Sequence, residues 1–264
     1  ALRSAYEASD LRSSDTRVLE RLYTDANRDD PLRPTRGRIL SWRLGVAGGP
    51  MGGDNSFWKV AANWHTYRRF PLGGVLAIRV GAGIVRPYGD SVARGADGVP
   101  YQERFFAGGV SSVRGYLERS LGPQITDQAE LDSLELANGV PLPDRPARGG
   151  NYLLLTSVEW RFPLPAPGKW RLEGVAFLDG GNVWENAKDI RLRSFRLRSY
   201  PRAPDDPQAT RLWDYRYSVG TGLRLMTPIG PVRLDVGFPL KRARLSDTET
   251  EDSVIYHFSL GYPF

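Results

Sequence analysis

The sequence contains no cysteine, which excludes a disulfide framework and any thiolate metal site. Histidine is nearly absent as well. His65 and His257 lie far apart and outside the spacings typical of metal ligands, so no metal or other cofactor is expected. Long apolar runs are missing, and a membrane-crossing helix needs about 18 or more consecutive apolar residues, so a helical membrane protein is excluded. The opening stretch ALRSAYEASDLRSSDTR has no apolar segment of a secretory signal, so a leader has been removed or the chain is cut from something longer. Nor is there a block of one charge. The 36 basic and 30 acidic residues are interspersed, whereas nucleic-acid binding concentrates basic residues on one face; no nucleic-acid partner is expected.

The mean hydropathy of −0.40 and a charged fraction of 25% resemble a soluble protein. They do not decide the class, because barrel strands alternate lipid-facing with lumen-facing residues and average out. The order of the residues is more informative. Segments of about ten residues with period-two alternation are separated by Gly, Pro and Asp clusters. In DSVIYHFSLGYPF, Val254, Tyr256, Phe258, Leu260, Tyr262 and Phe264 share a face, with Ile255, His257, Ser259 and Gly261 on the other. GPVRLDVGFPL places Val232, Leu234, Val236 and Phe238 opposite Arg233, Asp235 and Gly237. DYRYSVGTGLRLMTP sets Tyr215, Tyr217, Val219, Leu223 and Leu225 against Arg216, Ser218, Gly220, Gly222 and Arg224. NYLLLTSVEWRFPL directs Ser157, Glu159 and Arg161 inward. Charges on the second face imply a wet interior.

RLEGVAFLDGGNVW follows with a less clean phase, and RGRILSWRLGV, SFWKVAANWHTYRRFPL and GVLAIRVGAGIV complete eight strands. A ninth, around residues 16–24, is open between strand and helix, because Val18, Leu19, Leu22 and Tyr23 also fit a helical spacing. Short turns at 69–74, 164–169, 227–230 and 26–36 interleave with longer loops, the barrel signature in which short turns are periplasmic. The fold class expected is all-β, an antiparallel transmembrane β-barrel of eight or nine strands. Its longest loop, 87–150, far exceeds an ordinary connection and so is expected to have a role of its own.

That loop contains RFFAGGVSSVRGYLERSLGP, in which Val113, Arg114, Gly115 and Tyr116 form VRGY. Three further stretches follow in order: SVEWRFPL with Glu159, VAFLDGGNVW with Asp179, and GTGLRLMTPIGPVRLDVGFPL before the last strand. Together these resemble the BamA/TamA superfamily of outer-membrane assembly and translocation barrels, with RFFAGG suggesting the TamA and surface-antigen branch. The resemblance implies that the loop folds back into the barrel and that Arg114 is held by Glu159 and Asp179. It also implies a C-terminal insertion signal in Tyr256, Phe258, Leu260, Tyr262 and Phe264. The family usually has periplasmic POTRA domains and sixteen strands; residues 1–264 show no POTRA pattern and match the second half of such a barrel. A fragment, or a short form that closes by self-association, is expected.

The proposed lock has a physical basis. A guanidinium carries five donors and stays charged, so in a lumen it needs carboxylate acceptors. Gly115, and Gly108 and Gly109 at the loop's entry, would let the backbone pass close to its neighbours. The alternatives are an Arg114 solvated in the loop, and acids that satisfy other basic groups of a polar interior. A catalytic role for the two acids lacks a third residue to complete a reaction geometry.

Trp42, Trp58, Trp64, Trp160 and Trp170 read as interfacial anchors. The acidic SDTETED at 246–252 reads as a solvated loop tip, and the basic RLRSFRLRSYPR at 191–202 as a solvated loop or a contact for anionic head groups. GAGI at 81–84 lacks the third glycine of a dinucleotide fingerprint.

The function implied is non-enzymatic: insertion or translocation of client proteins in the outer membrane of a Gram-negative-type bacterium. A seam between first and last strands would open to them. Partners would be clients, outer-membrane lipid and lipopolysaccharide. The alternatives are a membrane anchor for an attached enzyme, as in patatin-like autotransporters, and a passive pore. Because the apolar face of the last strand runs to the final residue, deleting Phe264 is expected to impair insertion, read as loss of heat-modifiable mobility on gels.

Overall fold

The period-two alternation is realised as nine strands in a computed structural model of the chain, which describes residues 15–31, 33–125, 132, 147–168, 171–195, 213–227, 230–242 and 251–260. The strands are β1 (Val18–Arg28), β2 (Gly37–Ala47), β3 (Phe57–Arg69), β4 (Val75–Pro87), β5 (Tyr152–Leu164), β6 (Arg171–Trp184), β7 (Arg216–Thr227), β8 (Gly230–Pro239) and β9 (Ile255–Leu260). Each pairs antiparallel with the next, giving one sheet in sequence order. The sheet is open. Among the described residues β1 pairs only with β2, and β9 only with β8. Connections 29–36, 70–74, 165–170 and 228–229 are short, and 48–56, 88–151, 185–215 and 240–254 are long, alternating as a barrel requires.

Register turns the alternation into two chemically distinct faces. Ile78, Val158, Leu178, Val219 and Phe238 line up across β4 to β8 as one outward row. Tyr256, Phe258 and Leu260 extend that face on β9 and are 76%, 69% and 60% exposed. Such a surface is unfavourable in water at roughly 25 cal/mol per Å² and is what a hydrocarbon layer covers. The inward row three residues along reads Arg161, Val175, Gly222, Asp235 and His257. Tyr262 and Phe264 lie outside the described residues, as do Trp170 and most of the 246–252 and 191–202 stretches.

The segment open between helix and strand is a strand. β1 pairs with β2 over eleven positions, from Val18↔Ala47 to Arg28↔Gly37. Leu19 and Tyr23 share the face of Val46 and Trp42, while Val18 and Leu22 fall on the other, so apolar residues occur on both sides. That mixture produced the helical spacing. The backbone ladder decides, since pairing satisfies its polar groups whichever face is apolar.

The less clean phase of β6 also has a cause. Asn182 and Trp184 point outward but are buried, because Phe195, Trp213 and Asp214 of the connection after β6 lie against this end of the wall. Asn182 Nδ2 donates to the Asp214 carbonyl at 2.8 Å and Trp184 Nε1 to that of Trp213 at 2.9 Å. Tyr215 is likewise covered, its ring 4.9 Å from that of Phe195.

The described parts of the long loop pack on the inward face. Val99, Phe105, Ala107, Val113 and Leu121 form one buried cluster with Ala47, Phe57, Val85, Leu155 and Val183 of the strands. Bridges Phe105↔Gly150, Ala107↔Leu121 and Gln124↔Ala147 brace it. The apolar side of the loop thus meets the inner wall at these residues and leaves its polar tip against the charged rows.

If the outward row faces lipid, Leu178→Arg should cost about 2–4 kcal/mol near the bilayer midplane. Leu72→Arg in the 70–74 turn, where Leu72 is 78% exposed, should stay within about 0.5 kcal/mol. Urea unfolding in lipid vesicles measures both. Equal effects would mean that the two faces are assigned wrongly.

Candidate functional site

The VRGY tip lies against the inner face of β5 to β9. Val113 is fully buried and anchors the approach, directed at Gly181 of β6. Two glycines permit the close fit at the tip: a Cβ on Gly115 would sit 2.3 Å from that of Ser218, and one on Gly237 would sit 2.2 Å from the Arg114 carbonyl oxygen. Gly108 and Gly109, at φ 104° and 94°, begin the turn that reverses the chain, and the Gly109 amide donates to the Tyr116 carbonyl at 3.0 Å.

Arg114 is 3% exposed and saturated with acceptors. Its Nε and Nη2 donate to Asp179 Oδ2 and Oδ1 at 2.7 and 2.9 Å, a bidentate pair. Nη1 donates to Glu159 Oε2 at 2.8 Å and reaches Asp235 Oδ2 at 3.4 Å. The guanidinium also lies 3.5 Å from the ring centroid of Phe177, and the Arg114 amide donates to Asp179 Oδ2 at 3.2 Å. Burial works against the charge, but Asp179, Glu159 and Asp235 more than offset it and raise the pKa above the ordinary guanidinium value. Arg114 is therefore a permanent cation here.

The acids have further partners. Glu159 accepts from Arg161 Nε at 2.7 Å and Arg224 Nη2 at 2.6 Å. Asp179 accepts from Ser157 Oγ at 2.7 Å, and Asp235 from Arg233 at 3.0 Å. The main chain of the tip is bound too. The Gly115 amide donates to Ser218 Oγ at 3.1 Å, and Tyr116 Oη to the Lys241 carbonyl at 2.7 Å. Burial pushes the Tyr116 phenol up, which keeps it a donor. His257 Nε2 lies 2.7 Å from the Arg114 carbonyl.

The structure therefore brings Arg114, Glu159 and Asp179 together in one ion cluster, with Gly115 and Tyr116 beside it. Tyr256, Phe258 and Leu260 belong to the outward face, away from it. The sequence reading placed Asp235, Arg161, Arg224, Ser157, Ser218 and His257 on the inward face but not in this cluster. Alternation gives the face; only register gives the depth at which residues of neighbouring strands meet. Among the described residues no group of three potential metal ligands occurs.

Because Asp179 supplies a bidentate pair and Asp235 only a 3.4 Å contact, Asp179→Asn should loosen the tip more than Asp235→Asn. Breaking a buried pair typically costs about 3–5 kcal/mol. Limited proteolysis of residues 104–121 in vesicles measures the order. Equal protection in the two variants would remove Asp179 from its leading position.

The chain is similar to the outer membrane protein assembly factor BamA of Neisseria meningitidis serogroup B, 27% identical over 244 residues that make up 89% of this chain and 27% of that protein. It is also similar to BamA of Nitratidesulfovibrio vulgaris, 28% identical over 246 residues, 92% of this chain and 25% of that protein. A sorting and assembly machinery component 50 homolog B of Xenopus laevis is 34% identical over 128 residues, 47% of this chain and 26% of that protein. The crystal structure of BamA from Haemophilus ducreyi lacking POTRA domains 1-3 superposes with a TM-score of 0.62 at 25% identity, covering 90% of this chain and 41% of that one. The chain thus spans about a quarter of the length of these curated relatives. The Omp85 superfamily domain matches residues 2–264, and with the tip, the strands and their order in place, the chain belongs to the Omp85 superfamily.

Proposed function

We propose that this chain is the barrel portion of an outer-membrane machine that inserts or exports client proteins through a seam beside its last strand. The observation that carries the reading is the VRGY tip bound across β5 to β9 in a chain of this superfamily. The relatives named as outer membrane protein assembly factors support it, and place the protein in the outer membrane. The finer placement near the TamA branch is supported by the RFFAGG stretch that leads into the motif.

The seam has a physical rationale. An edge strand presents unpaired amides and carbonyls, which template the addition of another strand. β9 has such an edge, and so does β1. In hydrocarbon these groups need partners, so the sheet closes with further strands, from the same polypeptide or from a second copy. The resemblance to the second half of a sixteen-strand barrel favours a larger closed barrel in which β9 is one lip of the seam. The tip bound across the inner face of β5 to β9 argues against a permanently open pore.

Vesicles reconstituted with the protein should speed the folding of an added unfolded outer-membrane β-barrel protein, measured by its heat-modifiable mobility, and Arg114→Ala should remove most of that gain. No acceleration by the wild type would sink the assembly reading. Large steady single-channel conductance in the wild type would favour the passive pore.

A further inference from the structure

The tip touches more strands than an arginine–acid lock requires. The Arg114 side chain binds β5 through Glu159, β6 through Asp179 and β8 through Asp235, and the Gly115 amide binds β7 through Ser218. The remaining strand, β9, is reached by a different chemistry. His257 Nε2 stands 2.7 Å from the carbonyl oxygen of Arg114. A carbonyl has no proton to give, so the ring must carry one on Nε2 and donate it. His257 pairs in register with Asp235 and points inward.

Among the described residues β9 is the strand with the shortest ladder. Its ladder with β8 has six pairs, Val232↔Leu260 to Gly237↔Ile255, among the described residues, against ten to thirteen in every other ladder. Among the described residues it has a neighbour on one side only. Its outward side chains Tyr256, Phe258 and Leu260 are largely exposed, so contacts that fix it come from β8 and from the inward face. A hydrogen bond that adds little to a central strand is a large fraction of what orders such an edge.

We propose that His257 is a positioning residue that ties β9 to the loop tip, so that the state of the Arg114 cluster is transmitted to the edge at which a client would pair. With the tip seated, the Arg114 carbonyl is presented to His257 and β9 is held in register. When the tip withdraws, the acceptor leaves with it and β9 loses this anchor while β5 to β8 keep their long ladders. The consequence for clients rests on the seam reading of the previous section; the tie itself does not.

Hydrogen exchange with mass spectrometry on the vesicle-reconstituted protein, without client, tests this. His257→Leu should raise exchange over 255–260 about five- to tenfold, the loss expected for one neutral hydrogen bond, while 104–121 stays protected by the ion cluster. His257→Gln, which retains a donor at similar reach, should restore protection. Wild-type exchange over 255–260 in His257→Leu would overturn the proposal, as would a Gln variant that behaves like Leu. A second arm leaves His257 intact: the Glu159→Gln, Asp179→Asn double variant should loosen 104–121 and 255–260 together. Release of the loop with β9 unchanged would also overturn it, and this arm decides if His257→Leu does not fold. A β9 that is freed as expected with no change in client folding would instead count against the seam reading and leave the tie standing.

Discussion

A buried guanidinium with three carboxylates is the constraint around which the inner wall is organised. Glu159, Asp179 and Asp235 come from β5, β6 and β8, and their charges would repel at this range without a cation among them. Arg161, Arg224 and Arg233 supply part of the compensation but are fixed to the wall. Arg114 alone arrives on a loop. The wall therefore has a strong electrostatic preference for a seated tip, where Arg114 finds carboxylate acceptors for its buried charge. Such clusters contribute little net stability, because desolvation offsets most of the Coulomb gain. What they contribute is a unique position for the segment that carries the cation, and removing one member leaves the others uncompensated.

The two faces of the sheet divide this labour. Outward residues need only be apolar, so the wall tolerates mixtures such as Leu178, Val219 and Phe238 in one row. Inward residues must match a particular partner at a particular depth. Ser218 answers one amide, Asp179 one guanidinium edge, and Gly237 the space taken by the Arg114 carbonyl. The same alternation that makes the chain look soluble on average is what allows a lipid-facing surface and an ion cluster to share a strand.

The strands were legible in the sequence because period two is a local property, and seven segments carried it cleanly, with β6 less so. β1 was not, since an edge strand with apolar residues on both faces fits a helix equally well until its partner is known. At the site, the acids on β5 and β6 were legible through the ordered motifs, not through spacing. Asp235 and His257 were visible only as inward residues, because whether they reach Arg114 depends on the register of β8 and β9 and on how deeply the loop descends. The burial of Asn182, Trp184 and Tyr215 could not be read locally either, since it comes from Phe195, Trp213 and Asp214, which lie far from β6 in sequence or outside the strands.

The asymmetry between the two edges follows from these contacts. β1 is paired over eleven positions, carries Arg21 and Asp25 on its outward face, and is not reached by any of the tip contacts described above. Outward charges make it a poor wall for lipid and oppose slippage, as charged residues on natural edge strands do. β9 differs, with six paired positions among the described residues, an apolar outward face and an inward tie to the tip. Of the two edges, among the described residues, β9 is the one in contact with the loop tip. An edge held mainly by its own ladder is fixed at all times. One held in part by a loop is fixed only while the loop is seated, and that dependence is what a regulated seam requires.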